Sequence, residues 1–455
     1  MTPASGPDMT GAELTAPAAT GRPPPSAMTR LALAGPVVTW TALACWTAAW
    51  FVILAPRGGI AWHFFTEGSR LMFSGRYGRF YHLPGGLHLY ANYPWLQIGP
   101  LAFALAELIR HAGPDQGLVT AQVVMTGMGL ATLAAIMHIA LTFWAPTGHG
   151  AAVPADGAAA RAGSTAVPRR DLTARRRVFL AGGAVFMIAW VELAVAFGHL
   201  DDALALLLAV LALAAAVRGR PLLTGLAVGL ATDAKPWALV FLPVLLLAGG
   251  PASWPSPGRA GRPVRQNLHA WAVAAAGAGA AICAGWLPFF LADPGSTHAM
   301  HYAIRNLSDS GLRALGVTTR RTPTWDRSAQ VAAGCMLGVL AIWRRRWPAV
   351  ILLGVGARIA LDPATHGYYT AGVLAGALIW DLLASRRPLP AWTVVAYCAL
   401  SLVPLVTHDA AVRGWARLGL VVAFTVVILL GPARWNRVPG AGGGERAGKP
   451  GAAAS

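Results

Sequence analysis

Three ionisable groups stand together in Gly198-His199-Leu200-Asp201-Asp202, and one apolar run later the chain places Asp233 and Lys235 in TDAKPWALVF. A carboxylate can take the proton of a reacting hydroxyl, and an ammonium can hold a phosphate or stabilise a departing anion. Both segments border long apolar runs, where each charge costs about 2.5 to 3.5 kcal/mol to insert, so such groups mark a functional site by default. Asp202 and Asp201 are the first candidates for acid–base work. Asp201 suits the N-cap of the helix that begins at Ala203, leaving Asp202 to point inward, although capping alone would also explain both. Lys235 is a candidate phosphate ligand and shares the chain's lysine complement only with Lys449. The duller reading makes Asp233 and Lys235 a pair that neutralises itself.

Further candidates lie at similar positions. His199 follows Glu192 by seven residues, which puts both on one face of a helix. The loop 56–94 carries His63, Glu67 and Arg70 among Trp62, Phe65, Leu71, Met72 and Phe73, the pattern of an amphipathic helix on a membrane surface. The segment LDPATHGYYT supplies Asp362, His366, Tyr368 and Tyr369; the tyrosines also suit an interfacial belt, and the imidazole suits a phosphate neighbour. Arg305, Arg313, Arg320 and Arg321 make the loop 293–327 basic, as an anion-binding surface or as a solvated face.

Apolar runs must position these groups. Candidate spans are 31–55, 95–110, 118–144, 178–197, 201–217, 222–248, 269–292, 328–343, 347–361, 367–384, 391–407 and 413–431, giving an all-α polytopic bundle of about 10–12 spans. The run 222–248 has basic loops at both ends, so it is expected to enter and return as two short half-helices broken at Asp233-Ala234-Lys235-Pro236. In the first third, either 95–110 is not a full crossing or 118–144 is broken. Residues 1–30 and 432–455 read as disordered tails, 145–177 as a basic cytoplasmic loop, and 31–431 as one integral domain.

The chain has 455 residues, 56% hydrophobic and 12% charged, with a net charge of +18. Its arginines gather in short loops between spans, which reads as topology rather than nucleic-acid binding. The four cysteines have no metal-ligand spacing, and no GxGxxG, Walker, HExxH or GxSxG motif stands in a usable context. No cofactor is expected; the two adjacent aspartates allow a divalent cation without indicating one.

The order of these features resembles a known family. A first span, a WHFF-type amphipathic outer loop, Tyr93-Pro94 and QIGPL, then GHLDDALALLLAVLALAAAVRGR and GLAVGLATDAKPWALVFLPVLLL are similar to bacterial polyprenyl-phosphate-sugar-dependent GT-C glycosyltransferases, in particular the actinobacterial mannosyltransferase-like group. The resemblance covers about residues 31–390. It implies inverting transfer of a hexose, mannose by preference, from a polyprenyl-phosphate donor to a glycolipid or lipoglycan acceptor, outside a bacterial plasma membrane. Catalysis would fall to Asp202, Asp201 or Glu67, and substrate binding to His199, Lys235, Asp233, His63, His366 and Tyr368. The family usually has an acid early in the first outer loop, before the aromatic run, where this chain reads Gly59-Ile60-Ala61-Trp62. An inactive GT-C-like membrane protein and a lipid or solute transporter are the alternatives.

Overall fold

The computed structural model describes residues 35–75, 82–144, 169–250, 264–385 and 387–431. The tails 1–30 and 432–455 and most of the basic stretch 145–177 lie outside the described residues. Apart from one isolated bridge between Arg305 and Arg321, the regular structure among the described residues is helical. In chain order the helices are α1 (Pro36–Leu54), α2 (Trp62–Ser74), α3 (Pro100–Arg110), α4 (Leu118–Trp144) and α5 (Arg169–Val191), which continues as a π-helical segment, Glu192–Phe197. Then follow α6 (Leu200–Val217), α7 (Pro221–Ala234), a 3-10 arm (Pro236–Leu247) and α8 (Val264–Ala292). The last are α9 (Asp326–Trp343), α10 (Val350–Leu361), α11 (Thr370–Leu383), α12 (Ala391–Tyr397) and α13 (Ala410–Leu430).

Six helical stretches among the described residues are long and apolar enough to cross a membrane: Pro36–Arg57, Asp115–Phe143, Thr173–Phe197, Leu200–Val217, Asn267–Ala292 and Ala410–Leu430. Large side chains such as Val52, Ile53 and Leu430 stay exposed on their flanks. Hydrocarbon makes that exposure free of the penalty water would impose.

Contacts between chain ends give the bundle its direction. The first turn of α6, with Asp201, marks one end, and Arg218 marks the other. At the Asp201 end the backbone N–H groups of Gly59 and Ala61 donate to Val195 O and Phe197 O at 2.8 and 2.7 Å. The last carbonyls of a helix have no partner within it, and here the first loop supplies one. Gly99 N–H bonds Ala234 O at 3.0 Å and Trp62 Nε1 bonds Gln116 O at 3.0 Å, so both flanks of α3 lie at this same end. The 11-residue helix of the stretch 95–110 thus starts and returns at one end of the bundle, and α4 is unbroken. At the far end Arg218 Nη2 reaches His138 Nδ1 at 3.5 Å, Arg346 reaches Gly431 O, and Phe143 packs on Trp347.

The break in 222–248 falls where the sequence places it, at Lys235, whose backbone is extended (φ −151°, ψ 119°) ahead of Pro236. The two legs are not half-helices. Lys235 reaches the first turn of α6, while Gly219 and Gly250 meet at the far end, where a Cβ on Gly250 would stand 3.1 Å from Gly219 Cα. Each leg thus runs the length of α6. Twelve residues suffice for the return leg because a 3-10 helix rises about 2.0 Å per residue, against about 1.5 Å in an α-helix.

Small residues let α7 lie against α8. A Cβ added at Gly225 would stand 1.9 Å from Ala274 O, and one added at Gly229 would stand 2.6 Å from Ala278 O. Close approach through small residues is how helices associate where lipid offers no hydrophobic drive. Gly225→Ala is expected to force the pair apart and destabilise the protein by about 1–3 kcal/mol. The midpoint of unfolding in mixed micelles checks this, and an unchanged midpoint would contradict it.

Candidate functional site

The turn that carries the site depends on Gly198. Its φ of +71° is a left-handed conformation that costs other residues roughly 1–2 kcal/mol. Its N–H and that of His199 both bond Leu193 O, at 3.1 and 3.2 Å, which closes the π-helical segment and starts α6. Such segments recur where a helix is bent to serve a site. His199 takes the N-cap position without a side-chain bond, so neither aspartate caps α6. The carboxylate of Asp201 does accept the N–H of Asp202, at 2.9 Å.

Asp201 and Asp202 are both buried, 0% and 3% exposed, at the positive end of the α6 dipole. Lys235 Nζ lies directly on Asp201 Oδ2 and 3.8 Å from Asp202 Oδ2. The self-neutralising Asp233–Lys235 pair is not formed: Lys235 turns to α6, and Asp233 faces the bare Cα of Gly285 on α8, its buried Oδ1 lacking a hydrogen-bond partner.

Asp202 is held from the opposite side. Trp237 Nε1 donates to its Oδ1 at 2.8 Å, and Arg358 Nη1 lies 3.3 Å from the same oxygen. Arg358 also pairs through Nε with Asp362 Oδ2 at 3.4 Å. Its guanidinium lies between two rings, 4.2 Å from the Trp237 centroid and 4.1 Å from that of Tyr369. Cation–π contacts of this kind gain strength when desolvated.

The remaining wall is aromatic. His199 stacks on Tyr368 with centroids 3.9 Å apart and planes 26° apart, and His366 stacks on Tyr368 at 5.2 Å and 10°. Phe65 of α2 meets His199 at 6.4 Å. Burial, with His199 next in effect, holds the His366 imidazole below its usual value, so it is neutral at pH 7. His199 Nδ1 lies 3.5 Å from Asp201 Oδ1 and 3.7 Å from Asp202 Oδ2. Those separations are too long for hydrogen bonds, and Nδ1 and Asp202 Oδ2 are both buried without a hydrogen-bond partner.

Six of the nine residues given catalytic or binding roles from sequence therefore share one cluster, His199, Asp201, Asp202, Lys235, His366 and Tyr368, and the further candidates Asp362 and Tyr369 join it through Arg358. Glu67 lies half-buried on α2, two positions and about 200° of helix rotation from Phe65, the residue that meets His199. His63 is exposed, with Nδ1 3.0 Å from Ile60 O, and Asp233 faces α8. Ala61 is buried beside Phe197, at the mouth of the cluster. The basic loop 293–327 folds on itself: Asn306 bonds the carbonyls of Val317 and Thr319, and Arg313 that of Thr318.

Sequence reading missed Trp237 and Arg358. Arg358 carried a signal, since it is a lone charge inside the apolar run VILLGVGARIAL with Asp362 four residues on. No family model matches the chain, and no curated protein or solved structure matches it.

Proposed function

We propose that the chain is a multi-pass membrane glycosyltransferase of GT-C-like architecture in a bacterial plasma membrane. It moves a hexose, mannose by preference, from a polyprenyl-phosphate donor to a glycolipid or lipoglycan acceptor, with inversion. The helix directions fit twelve crossings in this reading: α1, α4 to α7, the 3-10 arm, α8, α9, the stretches Trp347–Leu361, Gly367–Leu383 and Ala391–Val406 that contain α10, α11 and α12, and α13, with α2 and α3 lying at the Asp201 end. This count returns both tails and the arginine-rich loops other than 293–327 to one side, as the positive-inside rule asks, and leaves that loop and the cluster on the other.

The observation that carries the reading is the state of Asp202. One carboxylate oxygen is fixed by Trp237 and Arg358, and the other is buried without a hydrogen-bond partner, 3.7 Å from an imidazole nitrogen and 3.8 Å from the Lys235 ammonium. A carboxylate so held can accept the proton of an acceptor hydroxyl as it attacks the sugar carbon. The bond from that carbon to the phosphate oxygen breaks, and the electron pair leaves on the phosphate. Lys235 and Arg358 are the cations nearest that charge. The stacked rings of His199, Tyr368 and His366 offer the apolar face that a sugar ring packs on.

The experiment is transfer of labelled mannose from polyprenyl phosphate in membranes holding the purified chain. Lys235→Ala is expected to lower transfer by at least tenfold, because it removes a phosphate-side cation and releases Asp201. Undiminished transfer would overturn the role of Lys235. Ala61, where the resemblance expects an acid, favours a second reading, a GT-C-like protein without transfer activity. Wild-type chain that transfers no sugar from any polyprenyl-phosphate donor would leave that reading standing.

A further inference from the structure

We propose that His199 Nδ1, Asp201 Oδ1 and Asp202 Oδ2 form a binding site for a first-row divalent cation of Mn2+ or Zn2+ chemistry. One donor atom from each of the three residues lies within 4.8 Å of the other two, and the imidazole nitrogen stands 3.5 and 3.7 Å from the two oxygens. A cation with ligand bonds of about 2.0–2.2 Å sets neighbouring donors roughly 3–3.5 Å apart, so the imidazole nitrogen needs to close on each oxygen by only a few tenths of an ångström.

The acids alone would not justify a site. The independent observation is that Asp202 Oδ2 and His199 Nδ1 are buried with no hydrogen-bond partner and face one another. Leaving two such atoms unsatisfied carries a desolvation penalty, which a shared ligand would remove. An imidazole with Nε2 protonated presents Nδ1 as a lone pair, as a metal requires.

Both carboxylates are also held at their other oxygen, the arrangement that orients ligands toward a metal. Lys235 sits on Asp201 Oδ2, Trp237 and Arg358 sit on Asp202 Oδ1, and Tyr368 covers the His199 ring. Lys235 also approaches Asp202 Oδ2, at 3.8 Å and without a hydrogen bond; that oxygen has two lone pairs, one for the cation and one for an acceptor hydroxyl, and Asp201 Oδ1 keeps a free lone pair beside its bond from Asp202 N–H. One imidazole with two carboxylates favours Mn2+ or Zn2+ over Mg2+, which prefers oxygen donors.

Charge gives the site a use. Asp201 and Asp202 face Lys235 and Arg358, and Arg358 is shared with Asp362, which Arg327 and Arg417 also approach. A divalent cation adds two positive charges beside Asp201 and Asp202. This consequence rests on the transfer reading, since a phosphate-linked donor is an anion that added positive charge attracts. The site itself rests on geometry alone.

Mn2+ binding to the detergent-purified, chelator-stripped full chain tests it. About one equivalent per chain is expected, with pulsed electron paramagnetic resonance showing a single imidazole nitrogen coupled to the metal. His199→Gln should remove that coupling and weaken binding at least tenfold, and Trp237→Phe, which touches no metal, should weaken it less. No bound Mn2+ in the wild-type chain, or a nitrogen coupling that survives His199→Gln, would overturn the site. Transfer that persists in excess chelator, together with absent metal, would overturn the site and keep the transferase. Stoichiometric, His199-dependent metal without transfer would keep the site and overturn the transferase.

Discussion

Asp202→Asn is expected to lower the rate of sugar transfer by roughly 10²- to 10⁴-fold, the range general acid–base groups contribute. The substitution keeps the volume of the side chain and an oxygen that can still accept from Trp237 Nε1, so the local packing survives. It removes the charge and the proton acceptor at Oδ2, which has no hydrogen-bond partner. Arg358 keeps Asp362 and its two aromatic neighbours, which preserves the architecture. The loss should therefore fall on the chemical step and leave donor KM within a few-fold. Single-turnover transfer in proteoliposomes checks this, and a rate within tenfold of wild type would remove Asp202 as the base.

Arg358→Leu is expected to destabilise the chain by about 3–5 kcal/mol, because it leaves Asp202 and Asp362 buried without their shared cation. Arg358 is 6% exposed, so water cannot take over. Arg358→Lys keeps a charge but loses the flat guanidinium between Trp237 and Tyr369, and should lose about 1–2 kcal/mol. Reversible unfolding in mixed detergent and SDS micelles ranks the three proteins. Leu at the stability of wild type would mean that the aspartates are neutral or find other partners.

The helical character, the near-correct apolar runs and the break at Lys235 were legible because each follows from one local rule. Lipid selects apolar residues wherever a helix crosses, and proline after an extended residue stops a helix. The same rule left open whether 95–110 is a full crossing, because an apolar helix of 11 residues passes as a span when only hydropathy is weighed. Its position is set instead by Gly99 and Gln116, which tie both flanks to one end. The supposed half-helices erred through rise per residue, since the return leg adopts 3-10 geometry that hydropathy does not reveal.

By itself the sequence determined that charged groups sit at the ends of apolar helices, and it named most of those that gather. A bilayer acts on each residue according to depth, so a rule applied along the chain recovers that much. Only the tertiary structure decided the pairing. Lys235 prefers Asp201, 34 residues away, to Asp233, two away, and Arg358 joins Asp202 across 156 residues. Those choices depend on the rotation of each helix and on which ends meet. Burial makes the pairing strict, because an ion that misses its partner finds no water to replace it.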